Sequence, residues 1–134
     1  MLQVCVCFAM RGNGWASLLP KVRRNIMSNK RLLKIEFYVP EEQLEQVKQA
    51  MFEAGAGKVG NYDCCAWQTV GEGQFRPGAG SNPFTGERDR FETLKEFKVE
   101  MVCEEELIAQ VIAALKSSHP FEEVAYAVLR IESF

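Results

Sequence analysis

Residues 34–51 and 98–115 of this chain superimpose without a gap at an offset of 64 positions, and this internal repeat constrains the fold more than any other feature. Lys34/Lys98, Glu36/Glu100, Glu41/Glu105, Glu42/Glu106, Gln46/Gln110, Val47/Val111 and Ala50/Ala114 are identical. Each copy is an alternating apolar run, an acidic start and an amphipathic stretch, and each is followed by a β-rich run. A duplicated strand–helix–strand unit has few ways to bury its apolar side, and pairing with its own copy is the simplest.

The local signals agree. Residues 32–39 alternate around Leu33, Ile35, Phe37 and Val39, the period of a strand. Pro40 suits a helix start, where its missing N–H has no partner to lose, and Glu41 and Glu42 suit the positive end of the helix dipole. Leu44, Val47, Met51 and Ala54 share one helical face, and Gly55 and Gly57 stop it. A second strand is expected over 61–70, a glycine- and proline-rich loop over 71–86, and a third strand over 91–103, with Phe97, Val99, Met101 and Cys103 on one face. The second helix opens at 104–106, buries Ile108, Val111 and Leu115, and closes at His119-Pro120 because a residue before proline disfavours the α region. Residues 124–131 read as the fourth strand.

The order β-α-β-β-α-β predicts a ferredoxin-like α+β fold: a four-stranded antiparallel sheet with both helices on one face. The other face is then open. Tyr38, Trp67, Val102, Tyr126 and Val128 are expected to lie on it, and an apolar open face predicts self-association into a closed cyclic oligomer.

The length of 134 residues suits one domain, and a formal charge of −2 gives no electrostatic reason to expect nucleic acid. No apolar run approaches the ~20 residues of a membrane helix. Five cysteines, an odd number with two adjacent, and no convincing secretion signal point to reduced thiols and a cytoplasmic location. Residues 1–26 lack periodicity, and Arg11, Arg23 and Arg24 follow their apolar stretch rather than precede it. They are expected to be a non-native or disordered extension, with the domain proper spanning 27–134.

The string GAGKVGNYDCCAWQTVGEGQFRP at 55–77, GSNPFTG at 80–86 and HPFEEVAY at 119–126 together resemble the inserted domain of the NIF-three-like (YqfO-type) dinuclear-metal proteins. The resemblance covers about residues 32–131. It implies a domain like the trimeric PII signalling proteins and the CutA divalent-cation-tolerance proteins, the latter also having a His-Pro-aromatic-Glu turn. The family's metal ligands lie in two flanking domains that this sequence does not show. The expectation is therefore a free-standing insert without the dinuclear chemistry. Phe121 stands where the family commonly has tyrosine, and Val124 and Ala127 where it has proline and aspartate.

Two segments hold the candidate site residues. In the 71–86 loop, Gly71, Gly73, Gly78 and Gly80 would expose backbone N–H groups able to bind an anion, with Arg76 adding a fork of donors. The PII resemblance implies that this connection reaches ligands at subunit clefts. The alternative is that the glycines only shape a loop packing Phe75 and Phe84 on a neighbouring subunit. In the second segment His119, the only histidine, lies beside Glu122 and Glu123, and the three could hold a divalent cation with help from another subunit. Otherwise His119 caps the second helix. Cys64 and Cys65, read as strand neighbours facing opposite sides, allow a soft-metal role for Cys64 only at an oligomer axis. Asp63 and Arg76 are a further candidate pair across the loop base.

No nucleophile, base and orienting group fall together, so no catalytic residue is assigned. The expected function is a non-enzymatic PII/CutA-type module, a homo-oligomer with a trimer favoured, binding a small anion or a divalent metal at subunit clefts. CutA-like copper or zinc handling is the main alternative. A metal-dependent hydrolase of the NIF-three-like type and a purely structural oligomerisation unit are the others.

Overall fold

The computed structural model describes residues 31–132, and the expectations for 1–26 lie outside the described residues. The elements are β1 (Leu32–Pro40), α1 (Leu44–Glu53), β2 (Trp67–Phe75), β3 (Glu92–Glu104), α2 (Ile108–Ser118) and β4 (Tyr126–Arg130). The sheet order is β2-β3-β1-β4, with every neighbouring pair antiparallel. This is the ferredoxin-like arrangement read from the repeat.

The repeat extends to the helix entries. Each helix begins with one 3₁₀ turn, Glu41–Gln43 and Glu105–Leu107, after an extended residue, Pro40 and Glu104. Both turns carry a pair of glutamates, where the unpaired N–H groups favour negative charge. The core lies between the helices and one sheet face. It joins Ile35, Phe37 and Val39 of β1, Val99, Met101 and Cys103 of β3, Leu44, Val47 and Met51 of α1, and Val111 and Leu115 of α2. Burial also raises the Cys103 thiol, with the Glu104 carboxylate adding to it.

Helix α1 ends as the glycines predict. Gly55 has φ +103°, its N–H donates to the Phe52 carbonyl at 2.9 Å, and Ala56 N–H donates to the Met51 carbonyl at 3.0 Å, the pair of bonds of a Schellman cap.

Three expectations need correction. β2 starts later and runs further than 61–70: Gly71 and Gly73 are strand residues opposite Glu96 and Leu94, so the loop spans 76–91. The long β3 supplies partners that extend the hairpin, and glycine in its interior leaves room for a side chain crossing from β3. Cys64 and Cys65 therefore precede β2. Cys64 is exposed with φ +52°, so the pair is not two alternating strand positions. Tyr126 and Val128 pair with Phe37 and Ile35 and share their helix-facing side, where Lys116 of α2 lies 5.3 Å over the Tyr126 ring. The register of β4 is thus one residue from the one expected, which reverses both side chains.

The open face holds Tyr38, Trp67 and Val102 as expected, but its centre is ionic. Lys34 lies 3.0 Å from Glu36 and 2.9 Å from Glu100, and Lys98 lies 3.0 Å from Glu36 and 2.8 Å from Glu100. Glu36 and Glu100 are register partners, a like-charge pairing that costs stability unless neutralised. The two lysines close a four-membered ring around them. The repeat makes this ring: its members are the identical pairs Lys34/Lys98 and Glu36/Glu100. Contact with Lys98 and then Lys34 lowers the Glu100 carboxyl to about 2, and the same contacts, led by Glu100, raise both lysines.

Candidate functional site: a cleft between the hairpin loop and the turn after α2

His119 sets one wall of the site. It ends α2, its N–H donating to the Leu115 carbonyl at 3.1 Å, and the residue is only 8% exposed. Phe121 N–H donates to Nδ1 at 3.1 Å, which leaves the proton on Nε2, and Nε2 donates to the Tyr38 carbonyl at 2.8 Å. Both ring nitrogens are therefore committed to the backbone. Burial pushes the imidazole below its ordinary value, partly offset by the Tyr38 carbonyl. The histidine thus pins the 119–123 turn to the end of β1 and holds Phe121, whose ring centroid is 5.1 Å away.

The hairpin loop forms the opposite wall. Its base closes through Asp89 N–H to the Pro77 carbonyl at 2.8 Å, and Ser81 Oγ–H donates to the Gly78 carbonyl at 2.8 Å. Gly80 turns with φ +122°, a left-handed conformation that favours glycine. The loop docks on the turn: Asn82 N–H donates to Glu122 Oε1 at 2.9 Å, and Phe75 and Phe84 flank Phe121 at 6.3 and 6.2 Å between centroids.

Between these walls lies a cleft of about 410 Å³, in the range of small-molecule sites. Phe75, Phe84, Phe121 and Tyr38 line it, and its charged lining residues are Glu96, Glu122 and Glu123. Glu96 reaches it from β3 across Gly73, where a Cβ would overlap the Glu96 carboxylate. Burial raises the Glu96 carboxyl above its ordinary value.

The structure thus brings together Gly73, Glu122 and Glu123 along the cleft, with Gly78 and Gly80 in the loop that forms its wall and His119 behind Phe121. Gly71 lines a neighbouring hollow of similar volume, about 380 Å³, together with Glu96 and Lys98. Arg76 is not among the cleft's lining residues; its guanidinium stacks 5.3 Å over the Phe91 ring. Cys64 lies in the connection before β2, and no group of three His, Cys, Asp or Glu side chains placed to hold a metal ion occurs among the described residues. Sequence reasoning missed Glu96. The available signal was its alternation with Lys98 and Glu100 on the open side of β3, opposite a glycine-rich strand.

No protein-family model matches the chain. Over 101 residues, 75% of its length, it is 43% identical to a Bacillus subtilis protein named GTP cyclohydrolase 1 type 2 homolog, of which the match takes in 27%. The crystal structure of a Bacillus cereus protein related to NIF3 superimposes with a TM-score of 0.66 at 33% identity, over 78% of this chain and 26% of that one. The chain is a relative of the NIF-three-like proteins. It spans about a quarter of the length of the curated relatives it matches. The fold of this NIF-three-related domain is also that of CutA from Archaeoglobus fulgidus, a periplasmic divalent cation tolerance protein, with a TM-score of 0.56 at 18% identity over 77% of this chain and 86% of CutA. Bacillus subtilis GlnK shares it more distantly, with a TM-score of 0.50 at 17% identity over 75% of this chain and 85% of GlnK. The domain therefore has the fold shared by the CutA and PII-like proteins. Among the described residues no helix is long and apolar enough to cross a membrane.

Proposed function

We propose that this NIF-three-related domain is a non-enzymatic, small-ligand-binding regulatory module of PII/CutA type, working as a homo-oligomer with a trimer favoured. One observation carries the reading: the glycine-rich loop and the His119–Glu123 turn, singled out separately in the sequence, meet as the two walls of one cleft. The cleft's aromatic lining with a few polar groups suits the binding of a small molecule. Its charged lining is acidic, which favours a cation over the anion that Arg76 and the glycines suggested. Self-association would use the open sheet face, where Trp67, Tyr38, Leu32 and Leu129 are exposed around the ionic ring.

A thermal-shift panel of copper, zinc, other divalent ions and adenine and guanine nucleotides tests the reading; the guanine nucleotides are included because of the name of the relatives. A ligand at 100 times its Kd adds about 2.7 kcal/mol, a shift of roughly ten degrees in a domain this size. No shift with any small ligand would leave a structural oligomerisation unit as the better reading.

A second reading, CutA-like handling of a divalent metal, is favoured by the acidic rim and by the name of the Archaeoglobus neighbour. With both His119 nitrogens bonded to the backbone, Glu122 and Glu123 would be the donors, completed by a second subunit. Elemental analysis of the untagged protein and zinc and copper titrations test it, and absence of both binding and bound metal would remove it.

A further inference from the structure

We propose that the cleft takes an organic cation, an ammonium group carried on an apolar or aromatic body. The inference rests on the reading of this cleft as a ligand site and names the chemistry of its occupant.

The first support is the match of two kinds of lining. Phe121 sits centrally between Phe75 and Phe84, with Tyr38 completing an aromatic surface. The charged side chains along the same cleft are all carboxylates. An aromatic face attracts a cation through its quadrupole, and a quaternary or alkylated ammonium with its weakly hydrated charge gains most from it. An anion would meet three carboxylates there and no basic lining residue.

The second support is Glu96. Its carboxylate has no hydrogen-bond or ion-pair partner among the described residues, whereas Glu36 and Glu100 on the same sheet face are each held by two lysines. Part-burial without a partner is costly for a carboxylate, and a cation in the cleft would relieve that cost. Gly73 accommodates this placement, since a Cβ there would overlap the Glu96 carboxylate where it now lies and displace it from the cleft wall.

The third support separates this occupant from a bare metal ion. A divalent metal needs several donors converging on a point, and no three such side chains converge among the described residues. Asn82 N–H already binds one Glu122 oxygen. Carboxylates spread along an apolar cleft suit a charge carried on a larger hydrophobic body.

The test is calorimetric titration of the full chain with benzyltrimethylammonium, with benzyl alcohol as the neutral control and benzoate as the anionic one. The ammonium should bind about tenfold more tightly than the alcohol, and benzoate more weakly than either. The isosteric Glu96→Gln should remove most of that preference while leaving the melting temperature at or above that of the parent. Nuclear Overhauser contacts between the probe's methyl protons and phenylalanine ring protons in the unaltered protein would locate it without any variant. Benzoate or a metal ion binding in preference to the ammonium, with Phe121→Ala weakening that binding, would overturn the organic-cation assignment and leave the cleft as a ligand site. No binding of any probe or of any ligand in the thermal-shift panel would overturn both.

Discussion

The two halves of the repeat share their strands and helices but differ in the connection that leaves each helix. After α1 the chain turns at Gly55, and Gly57 accepts the edge of the Phe52 ring where a Cβ would sit. The equivalent positions after α2 are His119 and Phe121, one binding the end of β1 and the other facing the cleft. The second difference is the hairpin, for the loop between β2 and β3 has no counterpart in the repeat. Where the halves agree, the residues make the core and the ionic ring; where they diverge, they make the cleft. The repeated halves make the scaffold, and the unshared connections make the walls of the cleft.

The largest effects should fall on the core that the halves share. Phe37→Ala and its repeat equivalent Met101→Ala should each cost about 2–5 kcal/mol in chemical denaturation, since both empty the same packed core. A large loss for one and little for the other would show that the halves are not energetically equivalent.

Next come the unshared helix ends. Gly57→Ala should cost about 1–3 kcal/mol, because φ is +75° and the new Cβ would lie 2.9 Å from the Cys65 carbonyl oxygen. Phe121→Ala, at the equivalent site, should cost about 1 kcal/mol because the ring is half-buried, yet it should abolish ligand binding. If the two variants lose stability and binding in the same proportion, the division between scaffold and site fails.

His119→Ala should cost about 1–3 kcal/mol by orphaning the Tyr38 carbonyl and Phe121 N–H. Its pH signature is specific. Burial holds the folded-state ring below its ordinary 6.5, so the unfolded chain takes up the proton first. The neutral ring's contribution is full above about 6.5 and falls as pH drops through the folded-state value. Denaturation midpoints measured from pH 8 to 5 should decline in the parent and flatten in the variant.

The smallest effect belongs to the ionic ring, which is partly solvated. Glu100→Gln should cost about 1 kcal/mol or less near neutrality. The parent carboxyl is lowered from 4.5 to about 2, so its contribution is present above 4.5 and lost as pH falls towards 2. A parent and variant that lose stability in parallel across that window would show that the ring contributes nothing.

The fold was legible because it is written twice. Ile35, Phe37, Val99 and Met101 alternate, and Val47 and Val111 mark matching helix faces, so the two copies support each other. The end of β2 was not legible, because Gly71 and Gly73 read as loop until Glu96 is seen crossing them. β4 misled for a different reason: its five residues are all exposed, so nothing in its pattern distinguishes the two registers. The site was half legible. Its two segments could be named from glycine spacing and from His119-Pro120, but their meeting depends on the loop folding back through Asn82 to Glu122, forty residues on. Arg76 was credible as an anion donor by residue type alone, and its stacking on Phe91 is a tertiary fact.

The most direct test of the division between shared scaffold and unshared site is amide chemical-shift mapping on titration with benzyltrimethylammonium. The perturbed amides should cluster in residues 76–91 and 119–125 with the adjoining ends of β2 and β3, while α1 and the ring residues Lys34, Glu36, Lys98 and Glu100 stay still. Perturbations centred on that ring or on α1, with the two connections unmoved, would contradict it.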